Sequence, residues 1–329
     1  AAEQQQQQQQ LPAAAVPSAA SARAIASSFA LKYYTLFGRS PHALRGFYKV
    51  DSYFQHDDEQ NAGTAAHGPE EIADHLKQLG EPHCKVELSV VDGQWSLGGG
   101  LVIQCVGLMQ TERSDAPRRF VHTFFLATQK PSGFYVLNDC MRYLQPPPAS
   151  PQPLVPPQPS AAAEQQQQQQ QLPAAAVPSA ASARAIASSF ALKYYTLFGR
   201  SPHALRGFYK VDSYFQHDDE QNAGTAAHGP EEIADHLKQL GEPHCKVELS
   251  VVDGQWSLGG GLVIQCVGLM QTERSDAPRR FVHTFFLATQ KPSGFYVLND
   301  CMRYLQPPPA SPQPLVPPQP SAAAEQQQQ

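Results

Sequence analysis

The stretch Arg118-Arg-Phe-Val-His-Thr-Phe-Phe-Leu-Ala-Thr-Gln-Lys-Pro-Ser-Gly-Phe-Tyr-Val-Leu-Asn-Asp139 decides the fold. It reads as two strands, Arg118 to Thr128 and Gly133 to Leu144, joined at Lys130-Pro-Ser-Gly133. Upstream, Leu101 to Met109 is apolar at successive positions, as a strand buried on both faces requires. Before it, Cys84, Val86, Leu88 and Val90 alternate with His83, Lys85, Glu87 and Ser89, which predicts a strand with one apolar face. Asp92-Gly93 reads as a turn or bulge, and Gly98-Gly-Gly100 as another turn.

Further upstream the period becomes helical. Pro69 to Leu79 predicts a helix with acids in its first turn and an apolar edge of Ile72, Leu76 and Leu79. A strand is expected at Ser52 to His56, after a short helix at Pro41 to Gly46 that leads into Phe47-Tyr48. The first helix is capped by Ser18 or Ser21, carries Ile25, Phe29, Tyr33 and Leu36 along one face, and stops at Gly38 and Pro41. The order is two helices, a strand, a helix and four strands. This is an α+β domain with helices on one face of a strongly curved, mostly antiparallel sheet.

All of this is written twice. Ala1 to Gln168 recurs letter for letter as Ala162 to Gln329, a period of 161 residues marked by Glu3, Glu164 and Glu325. A repeat of this length is a whole domain plus linker, since solenoid repeats run about 20–50 residues. The expected organisation is a low-complexity segment at 1–17, a domain at 18–145, a Pro/Gln/Ala-rich disordered linker at 146–178, a second domain at 179–306 and a Pro/Gln-rich tail at 307–329. The glutamines that close the chain open a third copy, so the sequence reads as an excerpt of a longer array or as an assembled concatemer.

The formal charge of −5 and the lack of a basic patch beyond Arg118-Arg119 do not suggest direct nucleic-acid binding. No apolar run suits a membrane span. Cys84, Cys105 and Cys140 show no metal spacing, and an odd number per domain argues against a closed disulfide set; they read as buried thiols of a reducing compartment. Among the acids, Asp51 and Asp74 lie off any apolar interior, and only Asp139, with Tyr33 or Tyr135 as hydroxyl donor, could serve a cavity. Asn138-Asp139 reads first as a structural hydrogen-bonding pair. His42, His56, His67, His75, His83 and His122 have no ligand spacing, so no metal, no cofactor and no catalysis are expected.

The words Phe29-Ala-Leu-Lys-Tyr33-Tyr34-Thr-Leu36, Leu44-Arg-Gly-Phe47-Tyr48, Arg118-Arg119-Phe120-Val-His-Thr123-Phe124 and Tyr135-Val-Leu-Asn138-Asp139 together resemble the nuclear transport factor 2-like (NTF2-like) domain. They are most similar to the N-terminal domain of the Ras-GAP SH3-domain-binding, Rasputin-like stress-granule family of plant and algal type. The resemblance covers Ile25 to Leu144 and Ile186 to Leu305. It implies a cone of helices over a bent sheet, homodimers packed sheet against sheet, and a groove beside the first helix that takes short Phe-Gly type motifs. The implied groove residues are Ile25, Phe29, Phe47 and Phe124, with Ile186, Phe190, Phe208 and Phe285 in the second copy. Gly46 stands where the family usually has a basic residue, and His122 where it usually has glutamine.

The function implied is a non-catalytic, cytoplasmic dimerisation and peptide-binding scaffold of the ribonucleoprotein-granule type. The alternatives are a nuclear transport carrier for Phe-rich nucleoporin repeats and a Ran-type GTPase, or an isomerase or dehydratase working inside the cone. A linker of roughly 35 residues spans about 30–35 Å on average. The expected partners are therefore a homodimer mate or, within one chain, the other copy, favoured by an effective concentration near millimolar.

Overall fold

The computed structural model describes residues 18–59, 65–79, 84–112, 114, 116–145, 179–221, 226–240, 245–273, 275 and 277–306. The low-complexity segments read at 1–17, 146–178 and 307–329 lie outside the described residues.

In the first copy, helix α1 (Ala19–Arg39) is followed by a 3-10 segment (Pro41–Phe47), strands β1 (Tyr48–Asp58) and β2 (Ala66–His67), and helix α2 (Gly68–Leu79). Strands β3 (Lys85–Trp95), β4 (Leu101–Gln110), β5 (Arg118–Thr128) and β6 (Phe134–Tyr143) complete it. The second copy repeats them as α3 (Ala180–Arg200), β7 (Tyr209–Asp219), β8 (Ala227–His228), α4 (Gly229–Leu240), β9 (Lys246–Trp256), β10 (Leu262–Gln271), β11 (Arg279–Thr289) and β12 (Phe295–Tyr304). Each copy has a six-stranded sheet, in order β2-β1-β6-β5-β4-β3 in the first. All neighbours are antiparallel except the β1–β6 pair.

Ser18 caps α1, its Oγ accepting from the Ser21 amide at 3.1 Å. The buried face of α1 is not the Ile25-Phe29-Tyr33-Leu36 edge as expected. It is Ala22, Ala26 and Ala30 continuing into Tyr33, Tyr34 and Phe37, while Ile25 and Phe29 are half-buried at its flank. The reason lies in β3. Gly93 has no side chain, and a Cβ there would stand 2.7 Å from the Ala26 Cβ and 2.8 Å from the Ala22 carbonyl. Small residues on both elements let the helix lie flush on the strand.

Asp92-Gly93 is therefore not a turn; β3 runs straight through it to Trp95. A second correction follows from a register shift between Leu88 and Val90 on β3. Because side chains alternate with period two, the extra residue moves Val90 to the opposite face. Val86, Leu88 and Val91 pack on the cone core, and Val90 joins the other side of the sheet.

That other side is where the copies meet. Val90, Val106, Val121 and Leu144 cluster with Val251, Val267, Val282 and Leu305. Val102, Phe125, Ala127 and Leu137 cluster with their counterparts, and the Phe125 and Phe286 rings stack at 4.8 Å. The two sheets face each other with two-fold reciprocity. Arg142 donates through Nε and Nη2 to both oxygens of Asp253 at 2.7 Å, and Arg303 does the same to Asp92. Thr123 and Thr284 meet hydroxyl to hydroxyl at 2.8 Å. Arg119 pairs with Glu220 and Arg280 with Glu59. The six cysteines are buried and none is in a disulfide.

Candidate functional site

The groove begins with the flank of α1. Ile25 and Phe29 stand above the sheet, and the 3-10 segment brings Phe47 against them, ring centroids of Phe29 and Phe47 lying 6.0 Å apart. Together with Lys32, Leu126, Phe134 and Tyr135 they line a cavity of about 430 Å3. Of the residues expected in the first copy, Ile25, Phe29 and Phe47 are thus brought together at the surface. In the second copy, Phe190 and Phe208 take the same edge-to-face arrangement at 6.1 Å, with Ile186 half-buried on the same core.

Phe124 and Phe285 need correction. Both are fully buried and form the layer beneath the groove, not its wall. The ring of Phe29 packs edge-on over Phe124 at 5.0 Å, so a visiting side chain meets Phe29 first. Strand alternation explains this, because Phe124 points into the cone while Phe125 points to the facing sheet. Phe134 and Tyr135, both half-buried, contribute the accessible surface that Phe124 does not, over the buried Leu126.

The groove has a cationic rim. Lys32 Nζ lies 5.4 Å from the centre of the Phe47 ring, and Lys49 Nζ lies 4.6 Å from that of Tyr135. Tyr135 donates to Asp51 at 2.8 Å, and burial followed by that carboxylate pushes its phenol up to about 12. Arg45, one place before Gly46, is turned away from the groove into an ion pair with Glu70.

A second constellation fills the cone interior, and no spacing in the sequence announces it. Asp139 Oδ1 accepts from His56 Nε2 at 2.6 Å and from His122 Nε2 at 2.7 Å. Its Oδ2 accepts from the hydroxyls of Tyr33 at 2.9 Å and Tyr48 at 2.7 Å. Tyr34 Oη lies 2.9 Å from His122 Nδ1. Burial alone would raise the Asp139 carboxyl, but electrostatic attraction to the His122 and His56 rings and their hydrogen bonds hold it well below the usual carboxylate range. Burial lowers His122 to about 4 against the opposing pull of Asp139. Tyr33 does meet Asp139, whereas Tyr135 is engaged elsewhere. Asn138, one residue earlier, faces the other copy and donates to the Trp256 carbonyl at 2.9 Å. His122 stacks on Phe124 at 3.8 Å, which links this cluster to the layer under the groove. The three groups His56, His122 and Asp139 could hold a metal ion, as could His217, His283 and Asp300.

A bent sheet closed by helices over a polar-centred cone, doubled across the open sheet face, defines the α+β cone class. The nuclear transport factor 2 (NTF2) domain family matches residues 25–143 and again 186–304, and the chain belongs to that family. It is 40% identical over 117 residues to a G3BP-like protein of Schizosaccharomyces pombe, covering 36% of this chain and 26% of that protein. It is 28% identical over 124 residues to a nuclear transport factor 2 of Arabidopsis thaliana, covering 38% of this chain and 26% of that protein. The chain thus spans about a quarter of the length of these two relatives. Among solved structures, nuclear transport factor 2 of Cryptosporidium parvum is 23% identical with a TM-score of 0.35, over 39% of this chain and 99% of that one. The complex of the yeast deubiquitinase Ubp3 with its cofactor Bre5 gives 22% identity and a TM-score of 0.33, over 37% of this chain and 96% of that one.

Proposed function

We propose that the chain is a non-catalytic scaffold in which each NTF2-like copy docks a short Phe-containing linear motif in the groove beside its first helix. The single observation that carries this reading is the half-buried aromatic slot of Phe29 and Phe47 with Lys32 at its rim. An inserted phenylalanine ring gains about 1.5–3 kcal/mol from burial, and edge-to-face packing adds to it. Lys32 supplies the cation missing at Gly46, so the preferred motif carries an acid beside its phenylalanine. The ordering cost of the peptide keeps each site weak, and two sites per chain then act through avidity. The 40% identity to a G3BP-like protein supports the scaffold reading, whose place would be the cytoplasm and its ribonucleoprotein granules. The Arabidopsis relative supports the second reading, a nuclear transport carrier for Phe-rich repeats.

The test is titration of labelled Phe-Gly-Asp-Phe and nucleoporin Phe-repeat peptides into the whole chain, wild type and Phe47→Ala/Phe208→Ala. The scaffold reading expects the first peptide to bind and the double variant, folded by circular dichroism, to lose it. Binding of the nucleoporin peptide alone selects the carrier. Binding of neither overturns both.

A further inference from the structure

The cone interior carries a chemistry the peptide groove does not use. Three ligand atoms from three strands, His56 on β1, His122 on β5 and Asp139 on β6, lie within 4.8 Å of one another. We propose that His56, His122 and Asp139 form a site for a divalent transition-metal ion, zinc by preference, repeated as His217, His283 and Asp300 in the second copy.

The donor set is the first argument. Two imidazoles and one carboxylate suit Zn2+, with a fourth position left for water. The support behind the donors is the second. Metal-binding imidazoles and carboxylates are held from behind by hydrogen bonds, and here Tyr34 meets the far nitrogen of His122 while Tyr33 and Tyr48 donate to the far oxygen of Asp139. The side chains of His56, His122 and Asp139 are at most 1% exposed, so this shell is shielded from bulk solvent.

Tautomer freedom is the third argument. To donate to Asp139, each imidazole carries its proton on Nε2. To bind an ion there, it must carry that proton on Nδ1. At His122 the hydroxyl of Tyr34 can serve either state, donating to a bare Nδ1 or accepting from a protonated one. At His56, Nδ1 is buried with no hydrogen-bond partner among the described residues, so nothing behind that ring fixes the proton on Nε2. The cation meets one carboxylate, Asp139, between the two imidazoles. The nitrogen–oxygen separations of 2.6 and 2.7 Å are hydrogen-bond lengths. Coordination at about 2.0–2.1 Å opens them by about half an ångström. Room exists beside the site in the second copy, where His217, Asp218, Arg279 and Met302 line a cavity of about 200 Å3.

The experiment uses the full chain, stripped with a chelator and dialysed, then titrated with Zn2+ by calorimetry and with Co2+ by visible absorption. The expected result is two ions per chain, a rise in melting temperature with Zn2+, and d–d bands with Co2+. Losing a supporting residue costs a metal site about 10–100-fold, so His122→Gln/His283→Gln, checked for folding, should bind at least about a hundredfold more weakly. His42→Gln/His203→Gln should bind as wild type. A folded wild type that takes up no ion, or whose uptake is unchanged in His122→Gln/His283→Gln, overturns the site. If that variant does not fold, the wild-type spectrum decides: d–d bands with the thermal shift uphold the site, and their absence overturns it.

Discussion

Asp139 accepts from two imidazoles and two phenols. An ionised carboxylate inside a protein is tolerated only when so satisfied. Asp139→Asn replaces that acceptor with an amide facing four donors, and should cost about 3–5 kcal/mol per copy. Denaturant unfolding measures it. His122 sets an acid limit through the opposite logic. Buried and neutral, it titrates near 4 in the fold against 6.5 ordinarily. The unfolded chain therefore takes up this proton first, and acid favours unfolding. The contribution is fully present above about pH 6.5 and is lost between there and about pH 4, amounting to about 3 kcal/mol per copy. Asp139 adds a loss of the same sign below its ordinary 3.8. Melting of chelated protein should fall steadily from pH 6.5 to 4, and His122→Gln/His283→Gln should flatten that slope. The pairing of Asp139 with Tyr33 was legible in the sequence, but the histidines were not, because His56 and Asp139 are 83 residues apart and only strand pairing brings them together. The resemblance set Phe29 and Phe47 in one groove, and their rings do lie together. It read Phe124 one layer too shallow, since an aromatic word does not say which face of a central strand it occupies.

At the scale of elements, the contact of α1 with β3 governs the groove. Their flush approach depends on Gly93 against Ala22 and Ala26, and Trp95 Nε1 ties the strand's end to the Ser18 carbonyl at 3.0 Å. Gly93→Val should lift the helix, cost about 1–3 kcal/mol by overpacking, and weaken peptide binding at the groove of that copy alone. Thermal melting and the peptide titration report the two effects separately. Strands β3 to β6 were readable from alternation and turn residues, and so was α2 from its apolar edge. The Asp92-Gly93 segment was not. A buried acid followed by glycine has the composition of a turn, and Arg303, whose guanidinium satisfies that acid within the strand, lies 211 positions away. Val90 was misassigned for a related reason, since alternation cannot report a bulge.

Over the whole molecule, the sheet-to-sheet seam joins the two copies of one chain. Its centre is apolar and its charges are paired reciprocally, Arg142 with Asp253 and Arg303 with Asp92. Removing both arginines by Arg142→Ala/Arg303→Ala strands two buried carboxylates, at about 3–5 kcal/mol each. The copies should then separate, seen as an increase in radius of gyration by small-angle scattering. With the seam satisfied internally, light scattering should give 35.9 kDa at all concentrations. A mass that climbs with concentration would instead mean pairing between chains.

That reciprocity has an arithmetic consequence. Each copy owns one open sheet face and each pairing consumes two. Chains with an even number of copies can close on themselves, while chains with an odd number always keep one face to offer. Parity, rather than length, would then decide which arrays recruit one another. Chains of one, two and three copies should scatter as dimer, monomer and dimer.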